Sequence, residues 1–168
     1  MGTLVARLAA TRIGDTFNQY RDDRLAERLD RYLDERADAT ILLVGEAAGY
    51  RGARVSGIPF TSERQLTGAG PCEATATIVH RTLEELDLED RVLLWNVVPT
   101  HPGTATTNRA PTRPEVEAGL PFATPLAHGR RVLAVGRIAE AALGAPYVRH
   151  PSHGGATAFR ETLRECLI

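Results

Sequence analysis

The chain has 168 residues, of which 43% are hydrophobic, and its formal net charge is −1. This length suits one domain with its own core, and the near-neutral charge argues against a broadly basic, histone-like nucleic-acid binder. No apolar run approaches the roughly 20 residues that span a bilayer, and the charged, amphipathic first residues do not resemble a signal peptide. We therefore expect a single domain over 1–168, a cytoplasmic location and no membrane partner.

Amphipathic helices alternate with short apolar strands along the chain. Apolar residues at helical spacing predict the following helices: 24–36, 73–86, about Pro114 to Ala127, Gly136 to Leu143, and a last one with Phe159, Leu163, Cys166 and Leu167 on one face. Continuous apolar runs predict strands at 40–44, 91–95, 131–135 and, more weakly, 147–149. Thr112 and Glu115 have capping-box spacing, whereas Gly119, Pro121 and Pro125 should kink or shorten the helix that follows.

The strands are apolar throughout instead of alternating, which is typical of a parallel sheet that is buried on both faces. We therefore predict an α/β fold, a three-layer α/β/α sandwich with a central parallel sheet of about four strands. In such sheets the loops that follow the strands meet at one edge. This geometry brings the following residues toward one crevice: Glu46, Phe60, Asn96, His101, His150 and His153.

An acid, an amide, a histidine and aromatic rings at one sheet edge suit recognition of a planar heterocycle on which charge develops. The chain has no Gly-x-x-x-x-Gly-Lys phosphate loop and no Gly-x-Ser-x-Gly elbow, and its histidines lack metal-ligand spacing. We therefore expect neither a metal nor another cofactor.

Five short motifs occur in an order that resembles the uracil-DNA glycosylase superfamily, closest to its Gly-Glu-Ala-Pro-Gly branch. They are GEAAG at Gly45–Gly49, GIPF at Gly57–Phe60, WNVV at Trp95–Val98, NRAPTRPE at Asn108–Glu115 and HPS at His150–Ser152. That branch carries an iron–sulfur cluster on four cysteines, whereas this chain has two cysteines. Ala47 occupies the position at which the best-known branch carries a catalytic Asp. The resemblance therefore implies a turnover enzyme of a cluster-free branch.

The resemblance also implies roles in binding uracil. Phe60 should stack on the flipped base, and Asn96 should hydrogen-bond its N3 and O4 edge. Gly45 belongs to the same uracil-binding loop, and Tyr50 should close the pocket against a thymine methyl group. The residues themselves also allow structural roles, with Phe60 as a core side chain and Asn96 as a turn residue.

Three residues are the candidates for catalysis. His150 should donate a hydrogen bond to uracil O2 as the base leaves as an anion, unless it is simply a buried, hydrogen-bonded histidine. Glu46 should be ionised and either position water or stabilise the cationic sugar, although a carboxylate there also suits capping of backbone N–H groups. His101 should assist the water or contact a phosphate, or else lie on the surface.

The remaining candidates are predicted to contact DNA. The arginines suited to phosphate contact are Arg51, Arg54, Arg109 and Arg149. Ser152 belongs to the histidine motif, and His153 should partly fill the gap left by the flipped base. Gly154 and Gly155 precede the last helix and would let backbone N–H groups approach a phosphate.

The sequence thus predicts a monomeric, monofunctional glycosylase that excises uracil from DNA in base excision repair. Two alternatives remain open at this stage. One is a glycosylase for another deaminated base, such as hypoxanthine or xanthine. The other is a non-catalytic module that binds single strands or free nucleobases.

Overall fold

The computed structural model describes residues 2–167. Its four strands are β1 Ile41–Ala47, β2 Val92–Val98, β3 Arg131–Val135 and β4 Tyr147–Val148. All pairings are parallel and the strand order is β2-β1-β3-β4. The predicted parallel sheet of four strands is therefore confirmed, with β1 at its centre.

Eight α-helices accompany the sheet within residues 2–167. They are α1 Thr3–Ala10, α2 Asp23–Glu35, α3 Ala53–Ser56, α4 Glu63–Thr67, α5 Ala74–Glu85, α6 Arg113–Ala127, α7 Arg137–Leu143 and α8 Ala156–Glu165. Short 3-10 turns occupy Gln19–Arg21 and Glu89–Arg91. None of these helices, all within the described range, is both long and apolar enough to cross a bilayer.

Helices cover both faces of the sheet because successive strand residues point to opposite sides. Leu42 and Val44 of β1 join a buried cluster with residues of α1, α2, α6 and α7. Leu43 joins a second cluster with side chains of α5 and α8, including Val79 and Phe159. The predicted three-layer sandwich is therefore confirmed.

Both central strands continue beyond their apolar runs. β1 ends at Ala47 and β2 at Val98, whereas the apolar runs predicted ends at 44 and 95. The parallel ladder continues because Gly45 pairs with Asn96 and Ala47 with Val98. Glu46 and Asn96 therefore stand on strand backbone instead of loop backbone.

Helix α6 is not shortened by its two internal prolines. Pro125 has no N–H to donate to the carbonyl of Pro121 one turn earlier, and the Arg7 guanidinium donates to that carbonyl instead (3.2 Å). Gly119 allows the helix to lie directly on β2, since a Cβ there would overlap the carbonyl oxygen of Val97. The predicted capping box of Thr112 and Glu115 is present.

Candidate active site

Two connected cavities open at the carboxyl edge of the sheet. The inner pocket, about 50 Å³, is lined by Glu46, Ala47, Gly49, Ala53, Phe60, Glu73, Thr75, Ala76, Asn96 and His150. The outer cleft, about 450 Å³, has among its lining Pro102, Asn108, Arg109, Gly136, Arg137, Tyr147, Arg149, Ser152 and His153. Six residues line both cavities, and we call them the mouth: Glu46, Ala47, Gly49, Glu73, Thr75 and His150.

Phe60 is one wall of the inner pocket and is held in a strained backbone conformation. Its φ is +53°, a value that bulky residues rarely adopt. Its ring lies against Gly45, where a Cβ would overlap the ring atoms. Strain of this kind persists where surrounding contacts hold the backbone in place, and it clusters at ligand sites. Gly45 therefore has a spatial reason to be glycine, because any side chain would displace the Phe60 ring.

The segment before Phe60 is fixed by buried hydrogen bonds. The Ser56 hydroxyl donates to the carbonyl of Thr61 (2.6 Å) and accepts from the N–H of Ile58 (3.1 Å). From outside the loop, the buried Tyr20 hydroxyl donates to the carbonyl of Gly57 (3.0 Å). The Phe60 ring is therefore presented by a rigid support.

Asn96 lies at the end of β2, and 3% of its surface is exposed. Its carboxamide oxygen lies beside Gly45, 2.9 Å from where a Cβ of that residue would stand. Within residues 2–167 the Asn96 carboxamide makes no hydrogen bond to another protein group. Because Asn96 lines the inner pocket, its donor and acceptor are available to a ligand.

The hydrogen bonds of His150 determine which of its ring nitrogens carries the proton. Nδ1 accepts from the Ser152 N–H (3.1 Å) and lies 2.8 Å from the Ser152 hydroxyl. The proton of a neutral ring therefore belongs on Nε2. Burial, together with the charges of Arg149 and His153, lowers the pKa of His150. The mouth thus contains a neutral imidazole with a free N–H donor.

Glu46 stands near the end of β1 and lines both cavities. Burial raises the pKa of its carboxyl. In the described part of the chain this carboxyl has neither a hydrogen bond nor an ion pair. The alternative role of capping backbone N–H groups therefore has no contact to support it.

His101 occupies a different place from the one the sheet-edge rule predicts. It is fully buried, and its ring nitrogens each lie 2.7 Å from a carbonyl oxygen, of Ala48 and of Thr104. Its backbone pairs with Phe17. Because both nitrogens are occupied by protein groups, His101 has no free ring atom for water or phosphate. It connects the loops that follow β1 and β2.

Tyr50, Arg51 and Arg54 also lie outside the linings of both cavities. The Tyr50 N–H donates to the Asn108 side chain (2.9 Å), and the Arg51 guanidinium stacks on the Tyr50 ring (5.3 Å to the centroid). The Arg54 guanidinium stacks on Phe17 (4.7 Å). Tyr50 is therefore not placed to close the pocket on a base, because its loop is drawn toward Asn108.

Four of the predicted DNA contacts line the outer cleft: Arg109, Arg149, Ser152 and His153. Arg109 forms a bidentate ion pair with Glu115 (2.7 and 2.8 Å). Arg149 donates to the carbonyl of His150 (2.8 Å). Gly154 and Gly155 do not line the cleft, although Gly155 immediately precedes α8.

Sequence reasoning assigned no functional role to Arg137 and Tyr147 of the cleft or to Glu73 of the mouth. Arg137 stacks on Tyr147 (4.0 Å) and pairs with Glu140 (2.6 Å). Both follow the sheet-edge rule, since Arg137 begins just after β3 and Tyr147 belongs to β4. Glu73 lies before α5, where no strand ends, so only the tertiary structure reveals it. No group of three or more His, Cys, Asp or Glu in the described range is placed to hold a metal ion.

The comparisons with known proteins agree with this geometry. The model of the Uracil DNA glycosylase superfamily matches residues 33–165, and the chain belongs to this family. This membership supports a DNA glycosylase of DNA repair. A sequence search of curated proteins finds no match.

A solved structure has the same fold. The crystal structure of wild-type Pedobacter heparinus SMUG2 superposes with a TM-score of 0.68 at 10% sequence identity. The match covers 99% of this chain and 97% of that one. At this low identity the similarity concerns the fold alone.

Proposed function

We propose that the protein hydrolyses the N-glycosidic bond of uracil flipped out of DNA and leaves an abasic site for base excision repair. The observation that carries this proposal is the convergence of Phe60, Asn96 and His150 on one inner pocket. These three elements supply a stacking ring, an unpartnered amide and a neutral N–H donor. Since all three come from one chain, we propose that a monomer acts.

The Asn96 amide provides the discrimination between bases. Its NH₂ group donates to uracil O4, and its oxygen accepts from the N3–H. Cytosine presents the opposite pattern, with a donor at N4 and an acceptor at N3, so it leaves buried polar groups unpaired. The Phe60 ring stacks on the face of the base and contributes affinity without selecting among bases.

The size of the inner pocket favours a single-ring base. Its volume is about 50 Å³, against about 450 Å³ for the outer cleft, so a single-ring base suits it better than a double-ring base. A flipped uracil would therefore fill the pocket and exclude water from the hydrogen bonds with Asn96 and His150.

Bond cleavage draws on the mouth residues. As the C1′–N1 bond breaks, its electron pair moves onto the base, and His150 Nε2–H donates to the oxygen O2 on which the charge develops. One such donor in a dry site contributes about 10²–10³-fold in rate. The Glu46 carboxylate, in its ionised form, lies near the sugar and stabilises the cation. Water then bonds to C1′.

The outer cleft suits the DNA strand on either side of the flipped nucleotide. Arg109, Arg149, Ser152 and His153 line it and are the groups that we expect to contact phosphates. Such contacts position the strand and carry no information about its sequence. Recognition then depends on the inner pocket.

A gel assay tests the proposal. Labelled oligonucleotides with one uracil, single-stranded or paired with G or A, are incubated with the protein and cleaved with alkali at abasic sites. We expect cleavage at the uracil and none in the matched thymine and cytosine strands. The absence of product from every uracil substrate would overturn the proposal, and tight binding without product would favour a non-catalytic base-binding module.

A second candidate substrate is hypoxanthine, and one observation favours testing it. Its N1–H and O6 present the same pattern to Asn96 as the N3–H and O4 of uracil, and the inner pocket opens through the mouth into the larger cleft. An oligonucleotide that contains deoxyinosine, tested in the same assay, distinguishes hypoxanthine from uracil as the preferred base. Faster release of hypoxanthine than of uracil would reassign the substrate.

A further inference from the structure

Glu73 is a second acid of the mouth, on a wall different from that of Glu46. It stands immediately before α5, while Glu46 stands on β1. Its carboxylate rests on the loop that follows β1: a Cβ at Gly49 would lie 2.5 Å from Oε1, and one at Gly52 would overlap Oε2. Two carboxyl groups therefore reach the mouth from the sheet edge and from the helical layer.

The side chain of Glu73 has no structural partner. It precedes α5 at the N-cap position but makes no capping hydrogen bond. Within residues 2–167 it forms no ion pair, and the hydrogen bonds at this residue belong to its backbone, whose N–H donates to the Ser62 hydroxyl (2.8 Å). Burial raises the pKa of its carboxyl. An unpaired, desolvated carboxyl in a cleft is costly to the fold and is a candidate for function.

The position of Glu73 relative to the two cavities indicates what it faces. If the base occupies the inner pocket and the phosphates the outer cleft, the glycosidic bond must pass through the mouth. The ionisable residues of the mouth are Glu46, Glu73 and His150. Arg109, Arg137, Tyr147, Arg149 and His153 are the other titratable groups that line the cleft. His150 is the donor to the base, so the two carboxyls remain for the sugar and the water.

We propose that Glu73 is the catalytic residue that binds and deprotonates the attacking water. This inference rests on the proposed function and names the group that completes it. His101 cannot take this role because it is fully buried and each of its ring nitrogens lies 2.7 Å from a carbonyl oxygen, which leaves neither nitrogen open to a water. Glu46 on the sheet edge is then the counter-charge of the sugar, and Glu73 before α5 holds the nucleophile.

The step balances without a cofactor. The C1′–N1 bond breaks, and its electron pair leaves with the uracil anion, which the His150 N–H stabilises. A water oxygen bonds to C1′ and gives one proton to the Glu73 carboxylate. That proton then passes to the departing base or to solvent, so Glu73 returns to its ionised form. A carboxyl whose pKa is raised toward the working pH suits such a base.

Single-turnover kinetics on uracil-containing DNA, measured as a function of pH with the full chain, test the proposal. Glu73→Gln keeps the shape and removes the base, and we expect the rate to fall by about 10²-fold or more. The part of the acid-pH decline that comes from protonation of Glu73 should be lost in this variant, while the part that comes from Glu46 remains. Glu73→Asp keeps a carboxyl and should recover part of the rate. Glu84→Gln, an exposed position of α5, is the matched control and should behave as wild type.

A binding measurement separates this role from a structural one. Affinity for an oligonucleotide with an uncleavable 2′-fluoro-arabino-uridine should be unchanged in Glu73→Gln, since the base and phosphate contacts remain. Wild-type rates and an unchanged acid limb in Glu73→Gln, or a loss of affinity that accounts for its lower rate, would overturn the water role while leaving the glycosylase activity intact. A wild-type protein that releases no base would overturn the proposed function as well.

Discussion

The inner pocket and the outer cleft differ in how their polar groups are paired. In the inner pocket and its mouth, Asn96, Glu46 and Glu73 have no side-chain partner within residues 2–167. In the outer cleft, the cations already have partners in the protein. Arg109 pairs with Glu115 and Arg137 with Glu140.

This difference indicates that the inner pocket lowers the stability of the fold in favour of function. Unpaired buried polar groups cost free energy, and the inner pocket retains them where a base and a water would satisfy them. The paired arginines of the cleft already have acids of the protein as partners, so they stabilise the fold in addition to contacting phosphates. Substitutions in the pocket should therefore change the rate, whereas substitutions in the cleft should change stability or DNA affinity.

The largest effect should come from the pocket histidine. We expect His150→Ala to lower the single-turnover rate of uracil release by about 10²–10³-fold, because the departing base loses its N–H donor. DNA affinity should change little. The exposed His128→Ala is the matched control. An unaffected rate in His150→Ala would contradict the assignment of the inner pocket.

The amide of the pocket should determine which base is excised. We expect Asn96→Asp to reduce uracil release by at least about 100-fold, since an ionised carboxylate offers no donor to O4. Release of cytosine should rise relative to that of uracil, because a carboxylate accepts from the cytosine amino group. Parallel assays on uracil and cytosine strands measure the ratio. An unchanged ratio would remove Asn96 from base recognition.

Glu115, the acid that pairs with Arg109 of the cleft, should instead affect the stability of the fold. Glu115 is 2% exposed and accepts from Arg109 and from the Thr112 N–H, so Glu115→Ala should cost about 3 kcal/mol in the free energy of unfolding. Glu117→Ala breaks the exposed pair with Arg113 on the same helix and should cost about 0.5 kcal/mol or less. Urea denaturation of both variants measures the two costs in the free energy of unfolding. Equal costs would contradict the contrast between the buried pair of Glu115 and the exposed pair of Glu117.

The same pair predicts a pH dependence. The Arg109 hydrogen bonds hold the pKa of Glu115 at about 2, below its ordinary value of 4.5. Because the folded pKa is depressed, this stabilisation is fully present above 4.5 and is lost as the pH falls toward about 2. Urea midpoints of wild type and Glu115→Ala should therefore converge over that range. A constant difference would contradict the ion-pair account.

The smallest effect should come from a cleft arginine. Arg149→Ala should weaken DNA binding by a few-fold and reduce the slope of log affinity against log salt by about 0.7–0.9. Arg51→Ala, outside both cavities, should leave the salt slope unchanged. Equal slopes in the two variants would place the DNA strand elsewhere.

The sequence predicted the features that depend on local pattern and on the rules of parallel sheets. The four strands, the capping box of Thr112 and the meeting of Glu46, Asn96 and His150 at one edge all follow from these rules. His101 follows the edge rule too, but the carbonyls of Ala48 and Thr104 take both its ring nitrogens, and no pattern encodes such tertiary contacts.

Glu73 is a site residue that the sequence pattern did not predict. It precedes a helix and resembles an ordinary helix-start acid, and only the packing of α5 against Gly49 and Gly52 brings it to the mouth. Helix α6 was expected to kink or shorten at its prolines, and the donor that replaces the missing N–H comes from the distant Arg7. Contacts between segments far apart in sequence are therefore what the sequence alone could not provide.

A crystal structure of the protein soaked with uracil tests the central claim most directly. The account predicts one uracil in the inner pocket, stacked on the Phe60 ring, with its N3 and O4 at the Asn96 amide and its O2 at His150 Nε2. Uracil bound outside this pocket, or an empty pocket at concentrations that inhibit base release, would contradict it.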